Sequence, residues 1–480
     1  MTSHPARWRI LGFLGIAQLM LILDVTVVAI ALPSMGADLN LSRETLTWTV
    51  SAYTLTFGGL MLLGGRLADL AGAKRVLLAG LLIFSVASLV TGLAWSPEAL
   101  LGGRIAQGLG AALLSPAALS LVVALFDGDE RNRALGIWSA LGGGGAALGV
   151  LLGGLITAGP GWPWVFYVNV PVGLIIAVAL TSMLPATLAD SGDATPGEHS
   201  DANADAPSTA NANAESRTRL DVFGAVLVTA STAAVIFALI GAGDRGWLSP
   251  VTGLLVLAAA IGYVVFVAWQ RRASSPLMDV SLLARRPVAT GAFLILLATA
   301  LMIAVFFLGT FYFQHARGFG ALTTGLLFLP VAVSTMAGAQ LTGRLIGRLG
   351  ARPLAMAGTA IAAAGMAVPA LSLTTATVVT GVVIAAAGTG VLFVVASATA
   401  LGQVAPHEAG IASGIVSTFH EFGASLGAAV ISSVAAASIA GTTLTGFENG
   451  FLTAAIVAAA DIAIAAVLTP TRPRPTPVPA

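Results

Sequence analysis

The chain has 480 residues, of which 57% are hydrophobic and 9% charged, where a soluble globular chain carries about 25% charged residues. Its formal charge of +1 argues for neither nucleic acid nor an acidic partner, and zero cysteines exclude disulfides, thiolate metal sites and cysteine nucleophiles. An integral membrane protein remains, with the lipid bilayer as partner: apolar runs of about 20 residues follow one another, and the alternating strands of a barrel are absent.

The first run, behind Arg7 and Arg9, continues without a small-residue cleavage site and reads as a retained span rather than a signal peptide. Runs bounded by charge, proline or glycine predict helices near 10–32, 46–68, 76–94, 99–124, 135–158, 166–185, 221–241, 250–269, 288–312, 323–346, 354–372, 377–400, 410–436 and 447–468. The expected fold is all-α with fourteen transmembrane helices. With the N-terminus in the cytoplasm, eighteen of the lysines and arginines fall on the cytoplasmic side, three (Arg43, Arg245, Arg317) outside, and Arg104 within a span. The positive-inside rule then puts both termini in the cytoplasm. Residues 186–219 are rich in Ala, Asp, Asn, Ser and Pro and predict a disordered cytoplasmic linker, and the tail TRPRPTPVPA predicts an extended segment.

GRLADLAGAKRVLLAG at 65–80 lies on GRLIGRLGARPLAMAG at 343–358 with a constant offset of 278 residues. Gly65, Arg66, Leu67, Gly72, Ala73, Ala79 and Gly80 recur, and both copies fall in a short turn after an even-numbered helix. The chain thus divides into an N-terminal six-helix bundle (1–185), the linker (186–219), two inserted helices (220–270), a C-terminal six-helix bundle (271–468) and a cytoplasmic tail (469–480). Two pseudo-symmetric bundles of this kind are how transporters build a central site.

The turn GRLADLAGAKR, with Gly65, Asp69, Gly72, Lys74 and Arg75, resembles the loop between helices 2 and 3 of the major facilitator superfamily, although Leu70 and Ala73 replace basic residues. RIAQGLGAA at 104–112 is similar to that family's fourth-helix motif, and LDVTVVAIALP to the first-helix motif of its fourteen-span drug/proton antiporters, with Ala29 at a common asparagine position. WPWVFYVNVPVG at 162–173, YFQHARG at 312–318 and Leu329-Pro330 also resemble this branch. In helix 5, Gly145, Gly149, Gly153 and Gly154 match the antiporter motif, but Val150 stands in place of its proline, which keeps a small packing face and removes a kink.

An ionisable side chain inside a bilayer needs neutralising, pairing or water. Asp24 lies roughly 12 Å from the outer end of helix 1 and Arg104 roughly 8–10 Å from that of helix 4, so the two share a depth. Burial raises and pairing lowers a carboxyl pKa, which would let Asp24 load and release a proton; a fixed structural pair is the alternative. The resemblance implies that Asp69 latches a gate between the halves, against a solvated acid capping helix 3. His420 and Glu421, adjacent in helix 13, point about 100° apart, so one at most faces a central cavity squarely, as a proton site or a charge for cations; a His420 satisfied structurally by a neighbouring group is the alternative. Asp461 in helix 14 has no charged partner nearby in sequence, and a proton site and a tolerated acid stand level.

His315 and Arg317 read as solvated groups, Trp48, Trp95, Trp162 and Trp247 as interface anchors, and Met20, Phe306, Phe307, Phe311 and Phe393 as packing or an apolar pocket. GGGGAALG has no lysine-serine after it and no strand before it, so it is not a phosphate loop. The resemblance implies export of small amphipathic or hydrophobic compounds, antibiotics among them, across the cytoplasmic membrane, driven by protons with no cofactor, by a carrier expected to be monomeric. The alternatives are an exporter of a lipid, siderophore or endogenous metabolite, a uniporter, or a membrane sensor without transport. Dispersed histidines without HExxH-type spacing argue against a metalloenzyme.

Overall fold

The computed structural model describes residues 4–184, 220–402, 404, 408–439, 441 and 443–469. The expected linker at 186–219 and the tail from 470 onward lie outside the described residues. In chain order the long helices are α1 (His4–Leu39), α2 (Arg43–Ala71), α3 (Ala73–Gly92), α4 (Pro97–Leu125), α5 (Gly128–Ala158), α6 (Trp164–Met183), α7 (Val222–Arg245), α8 (Pro250–Gln270), α9 (Arg286–Phe311), α10 (Ala321–Leu349), α11 (Ala351–Leu371), α12 (Thr375–Leu401), α13 (Ala409–Val434) and α14 (Thr445–Leu468). No strand occurs among the described residues. Thirteen of these helices are long and apolar enough to cross a membrane, and α5 contributes a shorter described apolar stretch, Leu148–Ala158.

Helix starts follow local chemistry. Ser42, Ser96, Ser249 and Thr374 each accept a hydrogen bond from the backbone N–H three residues on, satisfying a donor with no intrahelical partner. Pro97 and Pro250 occupy the first helical position, where a missing N–H costs nothing. The α2–α3 and α10–α11 turns pass through Gly72 (φ 90°) and Gly350 (φ 85°), backbone that side-chain-bearing residues rarely adopt. These two glycines are related by the repeat offset of the sequence.

The same offset reappears in packing. A Cβ on Gly80 would stand 2.8 Å from Gly110 O, where α3 crosses α4, and one on Gly358 3.1 Å from Gly388 O, where α11 crosses α12. Only residues without a side chain let the backbones approach so closely.

Several boundaries differ from the hydropathy reading, among them the start of α5 at Gly128 rather than near 135. α1 runs through Pro33 to Leu39 instead of ending near 32. Pro33 removes the N–H that would bond the carbonyl one turn back, and Gln314 Nε2, from a π-turn at Tyr312–Ala316 after α9, donates to the neighbouring Ile30 O at 2.9 Å. α6 is interrupted at Val168, between Trp164–Tyr167 and Asn169–Met183.

Helices α1–α6 pack among themselves, as do α9–α14, and the groups meet at α2–α13 and α5–α10. α7 packs against both α2 and α13, over the seam where they meet, while α8 packs on α7. The end of the bundle carrying Gly72 and Gly350 is called here the proximal end, and that carrying Asn40 the distal end. One buried apolar cluster joins both groups distally, through Val28, Leu32, Phe166, Phe307, Phe311 and Phe447. Proximally most of the core divides: Leu77, Leu114 and Leu121 belong to a cluster of α1–α6, and Leu294, Leu392 and Val395 to one of α9–α14, while Leu62 of α2 still packs on a cluster that includes Ile415 of α13. A further cluster, including Phe266, Leu282 and Ile415, lies beneath α7–α9 and α13.

Candidate functional site

The glycine face of α5 sets the position of α1. A Cβ on Gly145 would stand 2.8 Å from Ile22 Cγ2, Gly149 abuts Thr26, and a Cβ on Gly153 would stand 3.0 Å from Val27 Cα. Gly154 faces the other way, with its Cβ position 2.8 Å from Ala321 O of α10. α5 is a continuous helix through Val150, which is fully buried. This close approach of α1 and α5 fixes the helix that carries Asp24.

Asp24 forms an ion pair with Arg104 of α4. Arg104 Nε donates to Thr49 O of α2 at 2.8 Å and Nη1 to Gln107 Oε1 at 3.1 Å. Gln107 Nε2 donates to Asp24 Oδ1 at 3.1 Å and to Ser88 Oγ of α3 at 2.8 Å, and Asn169 of α6 reaches the same hydroxyl at 3.4 Å. The guanidinium lies over the Tyr53 ring, 4.4 Å from its centroid. Arg104 is 1% exposed and Asp24 3%. Removing two charges from water is expensive, and attraction repays it only when the remaining lone pairs and protons also find partners. Here both carboxylate oxygens accept, and five helices supply the groups.

The depth read from sequence brings this pair together, although α1 extends beyond the end on which that depth was measured. Thr49 and Ser88 carry no sequence signal for the site; Gln107 shows only as a motif position. Tyr53, two turns before Met61 on α2, reads from sequence as another apolar-helix aromatic.

His420 and Glu421 contact one another, Nδ1 to Oε1 at 3.1 Å, with the His420 side chain largely accessible and the Glu421 side chain mostly covered. A Cβ on Gly58 of α2 would stand 2.6 Å from Glu421 Cβ, so Glu421 lies in the α2–α13 seam, and the His420 ring is 5.9 Å from that of Phe393. Asp461 is buried in α14, in the other helix group from Asp24.

At the proximal end, Asp69 is exposed near the end of α2, and the helix after it is capped by Gly72 with no side-chain hydrogen bond. Capping of α3 by Asp69 is thereby corrected: Asp69 lies inside the preceding helix, and its side chain does not serve as the cap. Lys74 donates to Leu184 O at 2.5 Å and Thr181 O at 3.3 Å, holding the last carbonyls of α6. Gly65 lies beside Pro116 of α4, and Arg75 is exposed.

A second polar constellation, unseen in the sequence reading, holds the distal end. Arg43 at the start of α2 donates to Ser432 Oγ (3.0 Å) and O (3.3 Å) of α13 and to Ile240 O (3.1 Å) of α7, and pairs with Asp244 of α7 at 2.5 Å. Below it, Thr47 meets Ser432 at 2.5 Å and Thr54 meets Ser425 at 2.6 Å. Trp162 is not an interface anchor: it is 5% exposed, donates to Asp38 at 2.8 Å and packs edge-on to Phe166. Phe306, Phe307 and Phe311 are buried in the cluster that joins the helix groups.

A bundle of apolar helices around a buried, hydrogen-bonded ion pair is the architecture of a membrane transporter, and the comparisons with known proteins agree. Residues 14–428 match the Major Facilitator Superfamily, and the chain belongs to it. It is 35% identical to a puromycin resistance protein of Streptomyces alboniger, over 97% of this chain and 91% of that protein. It is 34% identical both to a cephamycin export protein of Amycolatopsis lactamdurans and to a lincomycin resistance protein of Streptomyces lincolnensis, in each case over 89% of this chain and 84% of the relative. In fold it is similar to a bacterial homolog of the human lysosomal transporter Spinster in an inward-facing, unoccupied conformation, with a TM-score of 0.63, 15% identity and coverage of 97% and 98%.

Proposed function

We propose that this chain is a proton-coupled antiporter that exports small amphipathic or hydrophobic compounds, antibiotics among them, across the cytoplasmic membrane by alternating access. The observation that carries the reading is the Asp24–Arg104 pair, an acid and its partner held inside the membrane by five helices. The names of the relatives supply the substrate class. α5 completes fourteen spans, both termini lie in the cytoplasm, and the proximal end faces it.

Residues 1–185 and 271–468 act as the two halves, joined by 186–219, with 220–270 inserted between them and the tail beyond 468. The core that is joined distally and mostly divided proximally supports a state closed to the outside and open to the cytoplasm. Protonation of Asp24 would break its bond with Arg104 and free the guanidinium to rearrange, coupling proton binding to the movement of α1 against α4. Glu421 and His420 would set the charge of the C-terminal wall of the cavity, and Asp69 with Arg75 the proximal gate. Energy comes from the proton gradient, without a cofactor, and a monomer suffices.

The test is puromycin efflux from a drug-sensitive bacterium expressing the full chain. Asp24→Asn should reduce uncoupler-sensitive efflux by about tenfold or more, within the usual range of coupling between sites, at unchanged expression. Wild-type efflux by that variant, or efflux by the unaltered chain that survives an uncoupler, overturns the proposal.

A further inference from the structure

Asp461 is 1% exposed, and neither of its carboxylate oxygens has a hydrogen-bond partner. It lies on the buried face of α14 formed by Phe447, Phe451, Ala454, Ala458 and Ala465, spaced alternately four and three residues apart as in a helix–helix seam. That helix packs mainly on α11, with α9 and α13 beside it.

The charged groups on these elements are engaged elsewhere or stand at helix ends. Arg352 is in the first turn of α11. Arg286, in the first turn of α9, donates to Val467 O and Leu468 O at the end of α14. His420 and Glu421 of α13 contact each other. Glu448 lies in the first turn of α14, more than three turns from Asp461. A carboxylate in such surroundings would lack the donors that Arg104 and Gln107 give Asp24, whereas a carboxylic acid has no charge to satisfy.

We propose that Asp461 is a second proton-binding site of the carrier, separate from Asp24 and located in α9–α14. It holds a proton in the form described here. When the α11–α14 seam admits water during the cycle, the O–H bond breaks, the proton passes to water as hydronium and the carboxylate remains, hydrated. The inference rests on the proton-coupled reading above, with each helix group carrying its own acid.

The experiment uses the full-length protein in phosphatidylethanolamine–phosphatidylglycerol vesicles. Dicyclohexylcarbodiimide partitions into apolar surroundings and reacts with protonated carboxyls, leaving a stable N-acylurea that peptide mass analysis locates. An adduct at Asp461 is expected, falling several-fold from mildly acid to mildly alkaline pH. Absence of an adduct there, or an adduct indifferent to pH, overturns the proposal. Puromycin accumulation under an imposed pH gradient gives the second readout: Asp461→Asn should lose gradient-driven accumulation while retaining downhill equilibration, and Asp461→Glu should recover it. Gradient-driven accumulation by Asp461→Asn at the wild-type level overturns the coupling role. If the unaltered protein accumulates no puromycin under a gradient, the proton-coupled reading fails instead, and the labelling still decides whether Asp461 binds a proton. Should Asp461→Asn fail to fold, labelling of the unaltered protein and of Asp461→Glu decides.

Discussion

The two largest seams between the helix groups are built from different chemistry. At α2–α13, hydroxyls face hydroxyls, Thr47 with Ser432 and Thr54 with Ser425, and Arg43 ties both helices to α7. At α5–α10, backbone meets backbone: Cβ atoms on Gly154 and Gly325 would each stand 2.8 Å from a carbonyl of the opposite helix. A hydroxyl seam exchanges its partners for water when it parts, so its net hold is about 0.5–1.5 kcal/mol per bond. A glycine seam holds by fit, with nothing for water to replace. In the alternating-access cycle proposed above, the first would suit a contact that is broken and remade, and the second a pivot that keeps its contact.

The largest effect is expected from filling the glycine seam. Gly154→Leu should destabilise the protein by about 1–3 kcal/mol, the range for overpacking, seen as a lower midpoint of thermal unfolding in detergent. An unchanged midpoint would mean that α5 and α10 are not held at this distance. Next is Arg43→Ala, which removes donors to two backbone carbonyls at the distal end, where water takes their place, for about 1–2 kcal/mol in all. Its direction is specific: distal residues should become more reactive to a membrane-impermeant maleimide. The chain contains no cysteine, so a single one introduced at Leu46 reports without background. Equal labelling with and without Arg43 would remove it from the distal closure. The smallest effect belongs to Thr54→Val, about 0.5–1.5 kcal/mol or less, since Ser425 keeps the Ser51 carbonyl as an acceptor at 3.4 Å. A fall in stability as large as that of Gly154→Leu would reverse the assignment of pivot and opening seam.

How much of this was legible in the sequence depends on whether the signal is local. Hydropathy reports the tendency to leave water, and so it located the helices; the paired glycine turns at 72 and 350 followed from the repeat. The Asp24–Arg104 pair was legible because two charges in apolar runs have few ways to be satisfied. Its hydrogen-bonded surroundings were not: Thr49 contributes only its backbone carbonyl, and Ser88 reads like any serine in a span. Arg43 looked like an ordinary outer-loop charge, and the position of α7 over the α2–α13 seam depends on contacts about two hundred residues apart. Hydropathy also ended helix 1 near 32, because a proline and a more polar stretch follow, whereas the helix continues through Pro33 to Leu39.

The Asp24–Arg104 pair also has an electrical consequence. While both groups are ionised, the pair has no net charge, and moving it through part of the membrane field takes almost no electrical work. A proton on Asp24 leaves Arg104 as a bare positive charge, and a full crossing would then involve about 2.3 kcal/mol per 100 mV. In the proton-coupled cycle proposed above, the membrane voltage, and not the pH difference alone, would therefore act on whichever step moves the protonated site.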